Sequence, residues 1–87
     1  MLNDHDMRTF NQTAKAVLKH NKYMRGYKLD SLLFLMECDA RRLMQDARDQ
    51  GTNGYMSTRG YVLSAYTDYA GKLCVYASVS ASLFDKD

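Results

Sequence analysis

The sequence predicts an α+β fold in which two amphipathic helices pack on a C-terminal antiparallel β-hairpin, in the order α-α-β-β. In the first half of the chain, apolar residues recur every three or four positions, as in helices that bury one face. From Tyr61 onward they alternate with polar residues, as in a half-buried strand. The chain has 87 residues, which is enough for one hydrophobic core. Residues 1–87 are therefore predicted to form a single domain.

The first helix is predicted at about residues 5–24. Side chains of Asn3, Asp4 and Asp6 can accept hydrogen bonds from the free amides of its first turn. Gly26 can end the helix in the left-handed conformation. The apolar positions lie within one arc of about 100° on the helix and are Met7, Phe10, Ala14, Val17 and Leu18.

The second helix is predicted to begin after Asp30, a favourable N-cap residue, and to end at Gly51. Its main apolar face consists of Leu32, Leu33, Met36, Ala40, Leu43, Met44 and Ala47. Three further apolar residues, Phe34, Leu35 and Cys38, point away from that face. We interpret them as buried by the rest of the same chain; the alternative is a patch for a partner molecule.

The segment 68–71 predicts the turn of a β-hairpin. Asp68 supplies the side-chain acceptor of a type I turn, and Gly71 the positive φ of the following bulge. With Asp68 opposite Lys72, the inward residues of both strands share one face, in the pairs Ala65–Val75, Leu63–Ala77 and Tyr61–Val79. The opposite face would carry Ser64, Tyr66, Cys74, Tyr76 and Ser78.

Residues 54–60 are open to two interpretations. They prolong the first hairpin strand with a bulge at Gly60, or they form a short separate piece. A two-stranded sheet alone is only marginally stable. A third strand over residues 54–58, or sheet pairing across a dimer, would supply the missing support.

The excess positive charge is local to the first 28 residues, whose formal charge is +4. No acidic residue occurs between Asp6 and Asp30. Four cations of this region, Arg8, Lys15, Lys19 and Lys22, fall within a helical arc of about 60°. Such a stripe suits a phosphate backbone or an acidic protein surface. The alternative is a solvated face, or one neutralised by Asp39, Asp46 and Asp49 of the second helix.

Tyrosines flank arginines at two places in the chain, Tyr23 and Tyr27 around Arg25, and Tyr55 and Tyr61 around Arg59. Tyrosine beside arginine is typical of nucleic-acid sites and of protein interfaces. The predicted partner-binding residues are Arg8, Lys15, Lys19, Lys22, Tyr23, Arg25, Tyr27 and Arg59. The predicted oligomer contacts are Phe34, Leu35, Tyr66 and Tyr76.

The side chains that could support catalysis are few. His5 and His20 have no nucleophile or carboxylate at a motif spacing. Cys38 and Cys74 are single thiols without a CxxC motif. We interpret the segment 4–6 (DHD) as a helix-capping cluster and not as a metal site. We predict no catalytic, cofactor or metal site, and a protein that is not an enzyme.

Composition and the absence of an apolar run of about 18 residues predict a protein that does not enter a membrane. Two cysteines and no export signal predict a cytoplasmic location. The leading hypothesis is a small binding protein that blocks or modulates a larger macromolecule, such as a phage or mobile-element inhibitor of a host protein. Its partner would be an acidic protein surface or a nucleoprotein complex. The alternatives are DNA or RNA binding without sequence preference, and a structural homo-oligomer such as a homodimer.

Overall fold

A computed structural model of the protein describes residues 4–24, 26–51 and 53–81. Helix α1 (Asp4–His20) is followed by a short 3-10 turn (Lys22–Met24) and then by helix α2 (Leu29–Gln50). The helices precede all the strands, as the sequence predicts. Neither α1 nor α2 is long and apolar enough to cross a membrane.

Within the described residues the chain continues into strands β1 (Tyr55–Thr58), β2 (Tyr61–Thr67) and β3 (Leu73–Val79). They form one antiparallel sheet in the order β1-β2-β3. The predicted α+β fold is confirmed. Of the two interpretations of residues 54–60, the separate strand is the one observed, and Gly60 lies in a turn instead of a bulge.

The β2–β3 hairpin has the predicted register. Its paired residues include Ala65 with Val75, Leu63 with Ala77, and Tyr61 with Val79. In the turn, the Asp68 amide donates to the Lys72 carbonyl over 2.9 Å, and Gly71 has a φ of 79°. The Asp68 carboxylate accepts from the amides of Ala70 and Lys72, which explains why aspartate suits this position.

Helix α1 ends at His20, four residues earlier than predicted. The Asn21 amide still bonds to the Val17 carbonyl, but its side chain accepts from the Tyr23 amide over 3.0 Å and starts the 3-10 turn. An asparagine side chain competes with the helical backbone in this way. The prediction that Gly26 caps this helix is therefore wrong. The predicted capping residue Asn3 lies outside the described residues.

Helix α2 begins at Leu29, so the prediction of Asp30 as its N-cap is wrong. Lys28 occupies the N-cap position with extended backbone and no side-chain hydrogen bond to the helix. Asp30 lies in the first turn, where a carboxylate interacts favourably with the helix dipole. Gly51 ends the helix with a φ of 67°, as predicted.

One hydrophobic core joins both helices to the inner face of the sheet. Helix α2 faces the sheet with Leu32 and Met36, and α1 contributes Phe10. Helix α1 also lies along the outer edge of β3, where Thr9 Oγ1 accepts a hydrogen bond of 3.0 Å from the Ala77 amide. The fully buried Tyr61 and Leu63 complete the centre of this core from β2.

The prediction that the apolar first half of α2 is buried on both sides is wrong. Phe34 is 63% exposed and Cys38 is also exposed. Helix α1 and the sheet both contribute to the core on the side of α2 that carries Leu32 and Met36. Among the described residues, no second layer covers the Phe34 side.

The outer face of the sheet is also less open than predicted. Cys74 is only 4% exposed, although it belongs to that face. Its cross-strand neighbour Tyr66 reaches across β3 and donates a hydrogen bond of 3.1 Å to Asp6 in α1. The rings of Tyr66 and Tyr76 lie 5.7 Å apart. The Cys74 thiol lies 3.8 Å from Asp68 Oδ2 and 3.6 Å from the Lys72 carbonyl oxygen.

Candidate binding surface

Helix α1 presents three cations on its solvent-exposed side. Arg8, Lys15 and Lys19 are exposed, and we call this set the basic face. At about 1.5 Å of rise per residue, it spans about 17 Å. Among the described residues, none of the three forms an ion pair with a carboxylate. With respect to the described carboxylates, the three charges of the basic face are unpaired.

The aspartates of α2 do not neutralise the basic face. Asp39 pairs with Arg59, and Asp49 accepts a hydrogen bond of 2.9 Å from the Gln45 amide group. Asp46 is exposed and forms no ion pair with a described residue of α1. No described aspartate of α2 therefore forms an ion pair with the basic face.

Lys22 belongs to a different surface than predicted. Because α1 ends before it, Lys22 lies in the 3-10 turn, with its ammonium 5.3 Å from the centre of the Tyr23 ring. Tyr23 is 82% exposed, so this is a cation–π contact at the surface. Arg25, the next predicted binding residue, lies outside the described part of the chain.

An open hollow lies between the 3-10 turn and the start of α2. Its volume is about 420 Å³, and it is lined by Tyr27, Asp30, Ser31, Phe34 and Leu35. We call it the aromatic hollow. A phenylalanine as exposed as Phe34 within a cluster of apolar side chains is typical of an interaction site.

Arg59, predicted to bind a partner, is engaged within the protein. Its Nη1 donates to Asp39 Oδ2 and to the Tyr61 hydroxyl, each over 2.9 Å. The Tyr61 hydroxyl in turn donates to the same Asp39 oxygen over 2.6 Å. We call these three residues the polar cluster. Burial of Tyr61, together with its hydrogen bond to Asp39, raises the pKa of its hydroxyl well above the usual 10.0.

The polar cluster supports an unusual turn between β1 and β2. Arg59 and Gly60 have φ values of 54° and 96°, as a type I′ turn requires at both central positions. Asn21 donates to the Arg59 carbonyl over 2.8 Å, and the Ser80 amide donates to the Gly60 carbonyl over 2.9 Å. This turn therefore ties the end of α1 to the sheet.

The two segments in which tyrosines flank an arginine differ in the structure. Tyr23 and Tyr27 are exposed, and Tyr27 lines the aromatic hollow. In the second segment Tyr55 is 77% exposed, but Tyr61 is fully buried. The β-hairpin register predicts that Tyr61 faces inward, and the structure confirms this. Alternation along β2 did not show that the Tyr61 hydroxyl would bond to Asp39 and accept from Arg59.

The predicted oligomer contacts lie on two separate surfaces. Phe34 and Leu35 line the aromatic hollow on α2. Tyr66 and Tyr76 lie on the outer face of the sheet, on the other side from α2. The structure therefore does not bring these four residues into one patch.

Two acidic residues, Asp6 and Asp39, have roles in the structure that the sequence did not predict. Asp39 borders the apolar face of α2, three positions after Met36, so its position next to buried residues was the available signal. Asp6 was interpreted as a cap, but it is fully buried and accepts from Tyr66. Within the described residues, no three His, Cys, Asp or Glu side chains are grouped to hold a metal ion.

No family model matches the chain, and neither a curated protein nor a solved structure matches it.

Proposed function

We propose that this protein binds an acidic surface on a larger protein or nucleoprotein complex, and that it blocks or modulates its target by occupying that surface. The observation that supports this is the basic face. Arg8, Lys15 and Lys19 share the exposed side of one helix, and no described carboxylate pairs with them. Cations arranged in this way accelerate association with a negative surface and set its orientation.

The aromatic hollow would supply the apolar part of the interface. Protein interfaces combine a desolvated centre rich in tyrosine and phenylalanine with a polar, charged rim. Tyr27 and Phe34 line such a centre, and Lys22 and Lys28 are exposed close to it in the chain. A partner that presents an apolar side chain flanked by carboxylates fits this arrangement.

The class of protein that we propose is an inhibitor that acts by binding alone, as phage and mobile-element products do on host factors. Such a protein needs a stable surface and no reactive group. The basic face meets this need, because a helix anchored in the core holds its cations at constant spacing.

An affinity pull-down from lysate of the source cell tests the proposal. We expect the wild type to retain one defined complex, and the double variant Lys15→Glu with Lys19→Glu to lose it. The matched control is Arg41→Glu with Arg42→Glu, which makes the same change in net charge at two exposed positions of α2. Circular dichroism should show the same fold in all three proteins. Equal retention by both double variants would refute the proposal.

Nucleic acid is the second candidate ligand, because the basic face is as long as about five phosphates of one strand. Titrations with mixed-sequence duplex DNA and with single-stranded RNA at several salt concentrations distinguish nucleic acid from an acidic protein surface as the ligand. Three phosphate contacts would give a slope of about −2.7 in log affinity against log salt for duplex DNA. Such a slope, lost in the Lys15→Glu with Lys19→Glu variant, would establish nucleic acid as the ligand.

A further inference from the structure

The two edges of the sheet differ. Helix α1 covers the outer edge of β3, where Thr9 accepts from the Ala77 amide. At the other edge, the Ala65 amide donates to the Gly54 carbonyl over 2.7 Å. Along an antiparallel strand, every second residue forms hydrogen bonds with the neighbouring strand. Because Gly54 bonds to β2, Met56 does so too, and the backbone groups of Tyr55 and Ser57 point away from β2, towards the open edge. No described residue hydrogen-bonds to these outward groups.

Strand β1 is short, which limits pairing at an open edge, but it lacks the other features that normally prevent such pairing. Natural edge strands carry lysine or proline, contain a bulge, or are covered by another element. The four residues of β1, with the sequence YMST, include no charge and no proline. They pair with β2 in an unbroken register from Tyr55 to Thr58, without a bulge.

We propose that β1 is a dimerisation strand, which pairs antiparallel with β1 of a second copy of this chain. The two-fold axis passes between the two Met56 residues. Tyr55 lies opposite Ser57 of the second copy, and Ser57 lies opposite Tyr55 of the second copy. Each of these two Tyr55–Ser57 pairs exchanges two backbone hydrogen bonds, which gives four across the interface. The result is one six-stranded sheet with the helices of both copies on the same side.

The second copy fits this edge because the strand is complementary to itself. In this register the two Met56 side chains meet on the helix side of the sheet, where each already packs against its own core. On the outer face, the exposed Tyr55 ring covers Ser57 of the second copy. Arg59 falls opposite Asn53 of the second copy, so no like charges meet. A domain of this size buries little surface alone, and the dimer extends its core.

Sedimentation equilibrium up to about 1 mM protein tests whether the dimer exists. We compare the wild type with Ser57→Pro and with its matched control Ser57→Thr. Proline removes only an outward amide, so the hairpin keeps its own bonds and the variant should fold. It removes two hydrogen bonds related by the two-fold axis, which should weaken the dimer by about 30-fold, whereas threonine should leave it unchanged.

Disulfide trapping tests the register. In a Cys38→Ser background, Met56→Cys should form a covalent dimer, because directly opposed residues of a non-hydrogen-bonded pair have Cα atoms about 4.5 Å apart. Ser57→Cys is the control. In the proposed register, the Cα atoms of residue 57 in the two chains would lie about 8 Å apart. This is beyond the reach of a disulfide, so no covalent dimer should form.

Several results would overturn the proposal. They are a wild-type monomer at about 1 mM, a dimer that persists unweakened in Ser57→Pro, and a dimer that Phe34→Glu alone dissociates. Protection of the Tyr55 and Ser57 amides from hydrogen exchange only when another protein is added would also reject pairing with a second copy. The inference is independent of the basic face, so the Lys15→Glu with Lys19→Glu variant should dimerise like the wild type.

Discussion

At the residue scale, Arg59 is where local preference and tertiary contacts conflict. A non-glycine residue in the left-handed region costs about 1 kcal/mol, and asparagine or glycine would suit the first position of this turn better. The guanidinium donates hydrogen bonds to Asp39 and Tyr61, and we expect these bonds to offset the cost. Strain of this kind persists only where surrounding contacts hold it.

A double-mutant cycle measures this compensation. In the wild type, we expect Arg59→Asn to change the free energy of unfolding by less than about 1 kcal/mol, because relief of strain and loss of the ion pair oppose each other. In an Asp39→Asn background, the same substitution should stabilise the protein by about 1 kcal/mol. Urea denaturation provides the values. An Asp46→Asn background is the control, and an equal effect of Arg59→Asn in all three backgrounds would show that the pair contributes nothing.

The raised pKa of Tyr61 predicts how stability depends on pH. Folding favours the neutral hydroxyl, so its contribution is fully present below the unfolded pKa of 10.0 and is lost as the pH rises from there towards the folded pKa. The stability difference between wild type and Tyr61→Phe should be constant from about pH 6 to 9. Above pH 10 it should shrink by up to about 1.4 kcal/mol per pH unit. The two proteins differ only at residue 61, so a difference that stays constant above pH 10 would contradict the prediction.

At the element scale, α1 serves as the cover of one sheet edge as well as a layer of the core. Thr9 mediates this contact, because its hydroxyl donates to the Asp6 carbonyl and accepts from the Ala77 amide. The β3 edge therefore has a hydrogen-bond partner from the same chain. The outer edge of β1 has no such partner among the described residues. The two edges are therefore proposed to behave differently.

Replacing Thr9 tests the role of α1 as an edge cover. Thr9→Val keeps the side-chain shape but leaves the Ala77 amide without its acceptor, and we expect it to lower the free energy of unfolding by about 1 to 3 kcal/mol. Thr9→Ser keeps the hydroxyl and should lower the free energy of unfolding by less than Thr9→Val does. Amide hydrogen exchange at Ala77 should accelerate in the valine variant alone. Equal exchange in both variants would mean that the hydrogen bond does not hold the edge.

At the scale of the whole molecule, α2 has one buried side and one open side. Leu32 is fully buried between α2 and the sheet, whereas Phe34 is largely exposed two residues later. One layer of helices on one sheet covers one side of each helix, and a chain of this length provides no further layer within the described residues. The open side is what makes the aromatic hollow available to a partner.

Two substitutions on α2 distinguish its sides. Leu32→Ala should lower the free energy of unfolding by about 2 to 5 kcal/mol, because it leaves a cavity in the core. Phe34→Glu should change it by less than about 0.5 kcal/mol, because the ring is mostly in solvent. Thermal and urea unfolding of both variants check this. A large loss of stability in Phe34→Glu would restore the interpretation that this side of the helix is buried.

Local patterns in the sequence determined much of this fold. Helical spacing identified both helices, and alternation with a DYAG turn determined the β2–β3 register, because a slip of one residue would turn every apolar side chain to the wrong face. Gly51 marked the end of α2 because glycine adopts the left-handed conformation without strain. The helical spacing of the cations within the first 28 residues indicated the basic face.

Tertiary structure alone decided which polar groups meet. Asp39 and Arg59 are 20 residues apart, and Asp6 and Tyr66 are 60 apart, so no local pattern relates them. The end of α1 also depended on a distant contact, since Asn21 donates to the Arg59 carbonyl. Spacing along the chain predicts the face on which a side chain lies, but only packing brings distant faces together and determines whether a charge is paired or left free for a partner.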